Sequence, residues 1–148
     1  MRAKRDPLRE DHRLWLFGFL SGLPRTEQEV RNRLSTRGVE GEEREALIHE
    51  FRELNLLDDA AYARLFAEGH ENWGCDRVAY ELSRRGVSRE HIASALEGRD
   101  EEPQARTLAE GWTAEGFESR QVAARLRRRG FSAKTIGSVL RVRGEIPW

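Results

Sequence analysis

The chain carries one cysteine, Cys75, in 148 residues. A lone thiol excludes an intramolecular disulfide and suits a reducing compartment. Long apolar runs are also missing. Nothing approaches the roughly 18 consecutive apolar residues of a membrane span, and the opening stretch MRAKRDPLRED lacks the apolar core of a signal peptide. The expectation is a cytoplasmic protein with no membrane contact. Lysine is scarce, Lys4 and Lys134 standing against 24 arginines, and 26 basic and 26 acidic residues leave no formal net charge. The molecule as a whole therefore exerts no strong pull on nucleic acid. Signatures of catalysis are absent as well. His12, His49, His70 and His91 are scattered, and none stands at a metal spacing such as HExxH or CxxC, although His70 and Cys75 lie five apart across an expected loop. There is no Walker loop, no GxGxxG and no GxSxG. The expectation is no catalytic residue, no cofactor and no metal.

What the sequence has instead is charge and repetition. Charged residues make up 35% of the chain, above the roughly 25% of an average domain, which suits thin helical layers with much surface. The two signs are segregated: residues 40–59 hold eight acids and two arginines, and residues 118–143 hold eight bases and one acid. Aligning residues 76–96 with 120–140 gives ten identities in twenty-one positions without a gap, among them Val78, Leu82, Arg85, Gly86, Ser88, Ile92 and Leu96 against Val122, Leu126, Arg129, Gly130, Ser132, Ile136 and Leu140. The apolar members stand four apart, as on one face of a helix. Gly86 and Gly130 sit where a helix ends in a left-handed residue, and the Val or Phe that follows can fold back on the helix end. Ser88 and Ser132 are placed to cap the next helix.

The echo extends upstream, ARLFAEG at residues 63–69 resembling ARTLAEG at 105–111, and a third, weaker copy, EVRNRLSTRGV at 29–39, lies at the front of the chain, with Thr26 as its cap and Glu29 as capping-box partner. Pro103 suits a first helical turn. The reading is all-α: three tandem three-helix repeats stacked into an elongated array, with no sheet. The expected divisions are a tail at 1–11, a first repeat at 12–57 whose opening helix covers Leu14–Leu20, a second at 58–97, and a third at 98–148 with a basic end.

Arginines close the second helix of each later repeat. Arg84 and Arg85, then Arg127, Arg128 and Arg129, complement the negative end of a helix macrodipole. The last repeat goes further, adding Arg125, Lys134, Arg141 and Arg143, and the excess, together with Arg84 and Arg85, reads as a contact surface for phosphate or for an acidic protein face. Trp15 reads as core. Trp73 and Trp112, at the ends of first helices, read as rings that close the seam between repeats or stack on bases.

These residues, in order, resemble the RecX family of bacterial regulators of the RecA recombinase. The matching positions are Leu57, Asp58, Asp59, Tyr62 and Ala63, then Leu82, Arg85, Gly86, Val87, Ile92 and Leu96, and in the third repeat Leu126, Arg129, Gly130, Phe131 and Ile136. The resemblance spans about residues 12–143. It implies tandem three-helix repeats lying in the groove of a RecA filament on single-stranded DNA, hindering its growth and suppressing its ATP hydrolysis, strand exchange and stimulation of repressor cleavage, with no catalytic residue. It implies RecA as partner, with single-stranded DNA inside the filament, and the chain is expected to be a monomer. Family members are often basic overall, and this chain is neutral. Two alternatives stand beside it, a helical protein that binds DNA directly and a repeat scaffold for another protein. A titration of bare duplex across salt separates the first, since direct binding has a steep salt slope.

Overall fold

The computed structural model describes residues 7–142, with side chains over residues 10–141. Among them are nine α-helices and no strand: α1 (Pro7–Gly22), α2 (Glu27–Thr36), α3 (Gly41–Glu53), α4 (Asp59–Gly69), α5 (Cys75–Arg84), α6 (Arg89–Leu96), α7 (Glu102–Ala114), α8 (Ser119–Arg128) and α9 (Ala133–Val142). The fold is all-α, built from three-helix repeats. The first helix is longer than the Leu14–Leu20 stretch. It starts at Pro7, inside the segment read as a tail, because proline at a first helical position forfeits no hydrogen bond. No helix among the described residues is long and apolar enough to cross a membrane.

The second helix of every repeat stops in the same way. Gly38, Gly86 and Gly130 take φ of +85°, +84° and +88°, a conformation that a side chain resists and glycine adopts freely. The residue after each then turns back. The N–H of Val39, Val87 and Phe131 donates to the carbonyl of Leu34, Leu82 and Leu126 at 2.8, 3.1 and 3.1 Å, which is the Schellman closure. These three apolar residues and the three leucines are all buried.

Helix starts are fixed by side chains. Thr26 Oγ1 accepts from Glu29 N at 3.2 Å, Asp58 Oδ1 from Ala61 N at 3.0 Å, Ser88 Oγ from His91 N at 3.3 Å, and Ser132 Oγ from Thr135 N at 3.1 Å. A capping box closes α8, Glu118 N donating to Gln121 Oε1 at 2.9 Å while the Glu118 carboxylate accepts in return. At α5 the cap residue is Gly74, which has no side chain to offer. There the turn after α8 substitutes for it: Gly74 N donates to the Arg129 carbonyl at 2.8 Å and Asp76 N to the Gly130 carbonyl at 3.1 Å.

Two compact units result, Met1–Tyr62 and Ala63–Trp148. The core of the first joins Leu16 of α1 to Val30 and Leu34 of α2, Leu47, Ile48 and Phe51 of α3, and Leu57. The larger core of the second joins Ala105, Ala109 and Trp112 of α7 to Val122 and Leu126 of α8, Phe131, and Ile136, Val139 and Leu140 of α9. Each fully buried leucine or phenylalanine contributes about 1.5–3 kcal/mol by leaving water. The middle repeat buries smaller residues, Ala63, Ala67, Val78, Leu82 and Val87, and its third helix, α6, has no fully buried residue.

Candidate interaction surface

The arginines of the repeated motif do two different jobs. The residue just before each turn glycine lays its guanidinium over a ring of the first helix of its own repeat: Arg37 over Trp15 at 4.5 Å, Arg85 over Phe66 at 4.5 Å, and Arg129 over Trp112 at 5.3 Å. Arg125, one turn before Arg129, covers Phe117 at 3.9 Å and Trp112 at 5.4 Å. These cations pin the end of the second helix to the first, each such contact being worth about 0.5–2 kcal/mol according to exposure. Arg127 and Arg128, which share a chain segment with them, point to solvent and enter no ion pair among the described residues. Arg84 is exposed too and meets Glu81 at 3.5 Å.

The nine basic residues read as one surface thus fall into separate groups. Arg85, Arg125 and Arg129 are half-buried against rings, whereas Arg84, Arg127, Arg128, Lys134 and Arg141 are exposed. Arg143 lies outside the described residues. The difference has a measurable consequence. Arg129→Ala and Arg85→Ala are expected to lower stability by about 1 kcal/mol each, and Arg128→Ala to change it by less than about 0.5 kcal/mol. Urea unfolding of the three variants checks this, and a loss for Arg128 as large as for Arg129 would contradict it.

The family-motif residues are structural in the same sense. Leu57, Ala63, Leu82, Leu126, Phe131 and Ile136 are buried, Ile92 and Tyr62 are half-buried, and Gly86 and Gly130 form the turns. Asp58 caps α4. Asp59 does more than open that helix, since its Oδ1 accepts the N–H of Glu27 at 2.9 Å and so helps hold the start of α2.

Half of the eight segregated acids are occupied, Asp58 and Asp59 by the backbone N–H groups of Ala61 and Glu27. Glu45 pairs with Arg31 and Arg44, both at 2.9 Å, and Arg31 above all holds its carboxyl down to about 2. Glu50 pairs with Arg13 at 3.0 Å. Glu40, Glu42, Glu43 and Glu53 are exposed and enter no ion pair among the described residues. Three of these four surround the start of α3, where negative charge suits the helix dipole.

The sequence gives no sign of a clamp at the junction of the second and third repeats. Arg99 donates from Nη1 to the Ala67 carbonyl at 2.7 Å and from Nη2 to the carbonyls of His70 and Trp73 at 2.8 and 2.9 Å. Two of these carbonyls, those of Ala67 and His70, already take the N–H groups of His70 and Trp73 in the turns after α4, and the planar fork of Arg99 adds a second donor to each while also reaching the Trp73 carbonyl. Beside the clamp, burial pushes the pKa of Glu101 up, the backbone N–H groups of Ser132 and Cys75 pulling less strongly the other way. Burial likewise pushes up the Cys75 thiol. His70 is held by stacking, its ring 4.1 Å from those of both Phe66 and Trp73 and its Nδ1–H donating to the Phe66 carbonyl at 2.7 Å. No group of three or more His, Cys, Asp or Glu suited to a metal ion occurs among the described residues.

The tryptophans separate by burial. Trp112 is 8% exposed and belongs to the core of its own repeat. Trp15 is exposed to intermediate degree, stacked on Phe19 with ring centres 5.1 Å apart. Trp73 lies where the loop after α4 meets Arg129 across a small polar groove.

The class defined by this architecture is an all-α protein of helix–stop–helix repeats with an arginine-rich exposed end. Residues 58–96 match the family model described as "RecX, second three-helix domain". Among curated proteins the chain is 34% identical over 110 residues to the "Regulatory protein RecX" of Streptomyces lividans, covering 70% of this chain and 58% of that one. It is 34% identical over 79 residues to the protein of the same name from Clostridium botulinum, covering 53% of this chain and 37% of that one. It spans well under two thirds of the length of either relative. Its fold is that of the "Crystal structure of RecX from Lactobacillus salivarius", with a TM-score of 0.83 at 19% identity over 93% of this chain and 97% of that one. A second solved structure, "Crystal structure of regulatory protein RecX", superposes with a TM-score of 0.76 at 22% identity, covering 88% of this chain and 70% of that one. Residues 58–96 thus form a RecX three-helix domain, and the chain is similar to RecX proteins along 70% of its length.

Proposed function

We propose that the chain is a non-enzymatic regulator that binds the RecA filament on single-stranded DNA and inhibits its ATP hydrolysis, strand exchange and stimulation of repressor cleavage, acting as a cytoplasmic monomer. One observation carries the reading beyond the resemblance to that family. The repeated arginine motif consumes one guanidinium per repeat internally and leaves Arg127 and Arg128 exposed without an acidic partner among the described residues. Cations held out on a rigid helix end suit an acidic protein face or a phosphate row. Repeated units offer further contacts to successive protomers, and several weak contacts on one chain multiply through effective concentration.

The test is ATP hydrolysis by preformed RecA filaments on single-stranded DNA, with the protein titrated from well below one per protomer. Loss of hydrolysis at substoichiometric ratios is the expected result, and unchanged hydrolysis sinks the reading. Replacing Arg127 and Arg128 together by alanine is expected to weaken inhibition about tenfold or more, on the scale of one to two charge contacts, and to reduce its salt sensitivity. Full inhibition by that variant would remove the anchor. Arg129 is left intact because its substitution disturbs packing as well as charge.

A further inference from the structure

Helix α5 buries Val78 and Leu82. Its opposite side carries Arg77, Tyr80 and Arg84, spaced three and four apart, and Trp73, in the loop just before the helix, lies against Arg77, so that ring and cation alternate along one stripe. Tyr80 is 63% exposed, the guanidinium of Arg84 stands 6.0 Å from its ring, and that of Arg77 lies 4.0 Å over Trp73. Arg77 enters no ion pair among the described residues. The turn after α8 packs directly on Arg77, since the carbonyls of Arg129 and Gly130 take the N–H groups of Gly74 and Asp76. This docking brings the exposed Arg127 and Arg128 to the same end of α5.

We propose that the outer face of α5, continued by the end of α8, is a platform for single-stranded nucleic acid, with Tyr80 as the ring on which a base stacks and Arg77, Arg84, Arg127 and Arg128 as phosphate contacts. The occupant follows from what surrounds the ring. A tyrosine that anchors a protein interface sits within an apolar collar that excludes water. Tyr80 is instead bordered on its helix by Asp76, Arg77, Ser83 and Arg84. Stacking on a base needs a ring face and neighbouring cations and no such collar. A free ring face also needs an unstacked base, which a single strand offers and a closed duplex does not. Arg77 and Arg84 are separated by about 10 Å along the helix axis, a span that a few nucleotides of extended strand cover. The inference deepens the regulator reading and takes its biological setting from it.

The experiment titrates a short fluorescein-labelled oligodeoxythymidylate with the full chain, without recombinase, following anisotropy at several salt concentrations. Binding is expected at low salt. Tyr80→Ala should weaken it about tenfold or more while leaving the salt slope unchanged, and Tyr80→Phe should retain it. Arg77→Ala or Arg84→Ala should lower the slope of log affinity against log salt by about 0.7 for each phosphate no longer neutralised. No binding at low salt, or equal affinity for Tyr80→Ala and the parent chain, overturns the proposal. So does a Tyr80→Ala chain that loses filament inhibition and keeps its oligonucleotide affinity, because the face would then take a protein. Oligonucleotide binding without any effect on RecA hydrolysis would sink the regulator reading and leave the platform standing.

Discussion

Gly130→Ala is expected to cost about 3 kcal/mol or more of stability and Gly38→Ala about 1 kcal/mol, although the two glycines hold the same place in their repeats and share nearly the same φ, +88° and +85°. The backbone strain is common to both. The surroundings differ. A Cβ added at Gly38 meets nothing within 4 Å, while one at Gly130 overlaps the Cβ and backbone nitrogen of Arg77 and lies 2.8 Å from its Cα. Arg77 cannot withdraw cheaply, because Gly74 N and Asp76 N are bonded to the carbonyls of Arg129 and Gly130. The interlock is reciprocal, since a Cβ at Gly74 overlaps the Gly130 carbonyl and Phe131 N. Urea unfolding of the two variants side by side decides it. Equal losses would mean that this junction opens at no cost.

Phe131→Ala is expected to lower stability by about 3–5 kcal/mol, the range for emptying a fully buried aromatic site. Phe131 is 0% exposed within the core that joins α7, α8 and α9. Its repeat equivalents are Val39 and Val87, so Phe131→Val restores the residue type of the other copies. That change should still cost about 1–2 kcal/mol, because the third repeat packs Trp112, Leu126 and Ile136 in the same core and a valine leaves a void among them. Unfolding monitored by Trp fluorescence checks both substitutions. A loss below about 1 kcal/mol for alanine would mean that the cavity collapses fully.

Much of this fold is readable in the sequence because its signals are local. The apolar spacing of Val78 with Leu82 and of Val122 with Leu126 marks a buried stripe. Gly86 and Gly130 announce a left-handed stop, and Ser88 and Ser132 cap the next helix. Each of these features depends on neighbours within a turn or two, so the pattern carries it. The candidate surface is legible in composition and not in detail. Arg127, Arg128 and Arg129 are identical letters in a row, and nothing in their order tells which one lies over a ring. A usable signal does exist: the same position before each turn glycine is arginine in all three copies, as Arg37, Arg85 and Arg129, and every first helix carries an aromatic residue. The tryptophans show the limit differently. Trp112 closes the core of its own repeat and Trp15 keeps part of its ring in solvent, because burial depends on which helix lies opposite.

By itself, then, the sequence determined the helices, their stops and caps, the repetition of a three-helix unit, and the family that this order of residues resembles. Tertiary structure decided which cations are free to meet a partner and which hold the protein together. It also decided that Gly74 needs no side chain, since a turn more than fifty residues later caps its helix. The reason is range. A helix signal is settled by residues three or four positions away, whereas Arg99 reaches the Ala67 carbonyl across 32 residues of chain. Such a bond exists only once the intervening helices have packed.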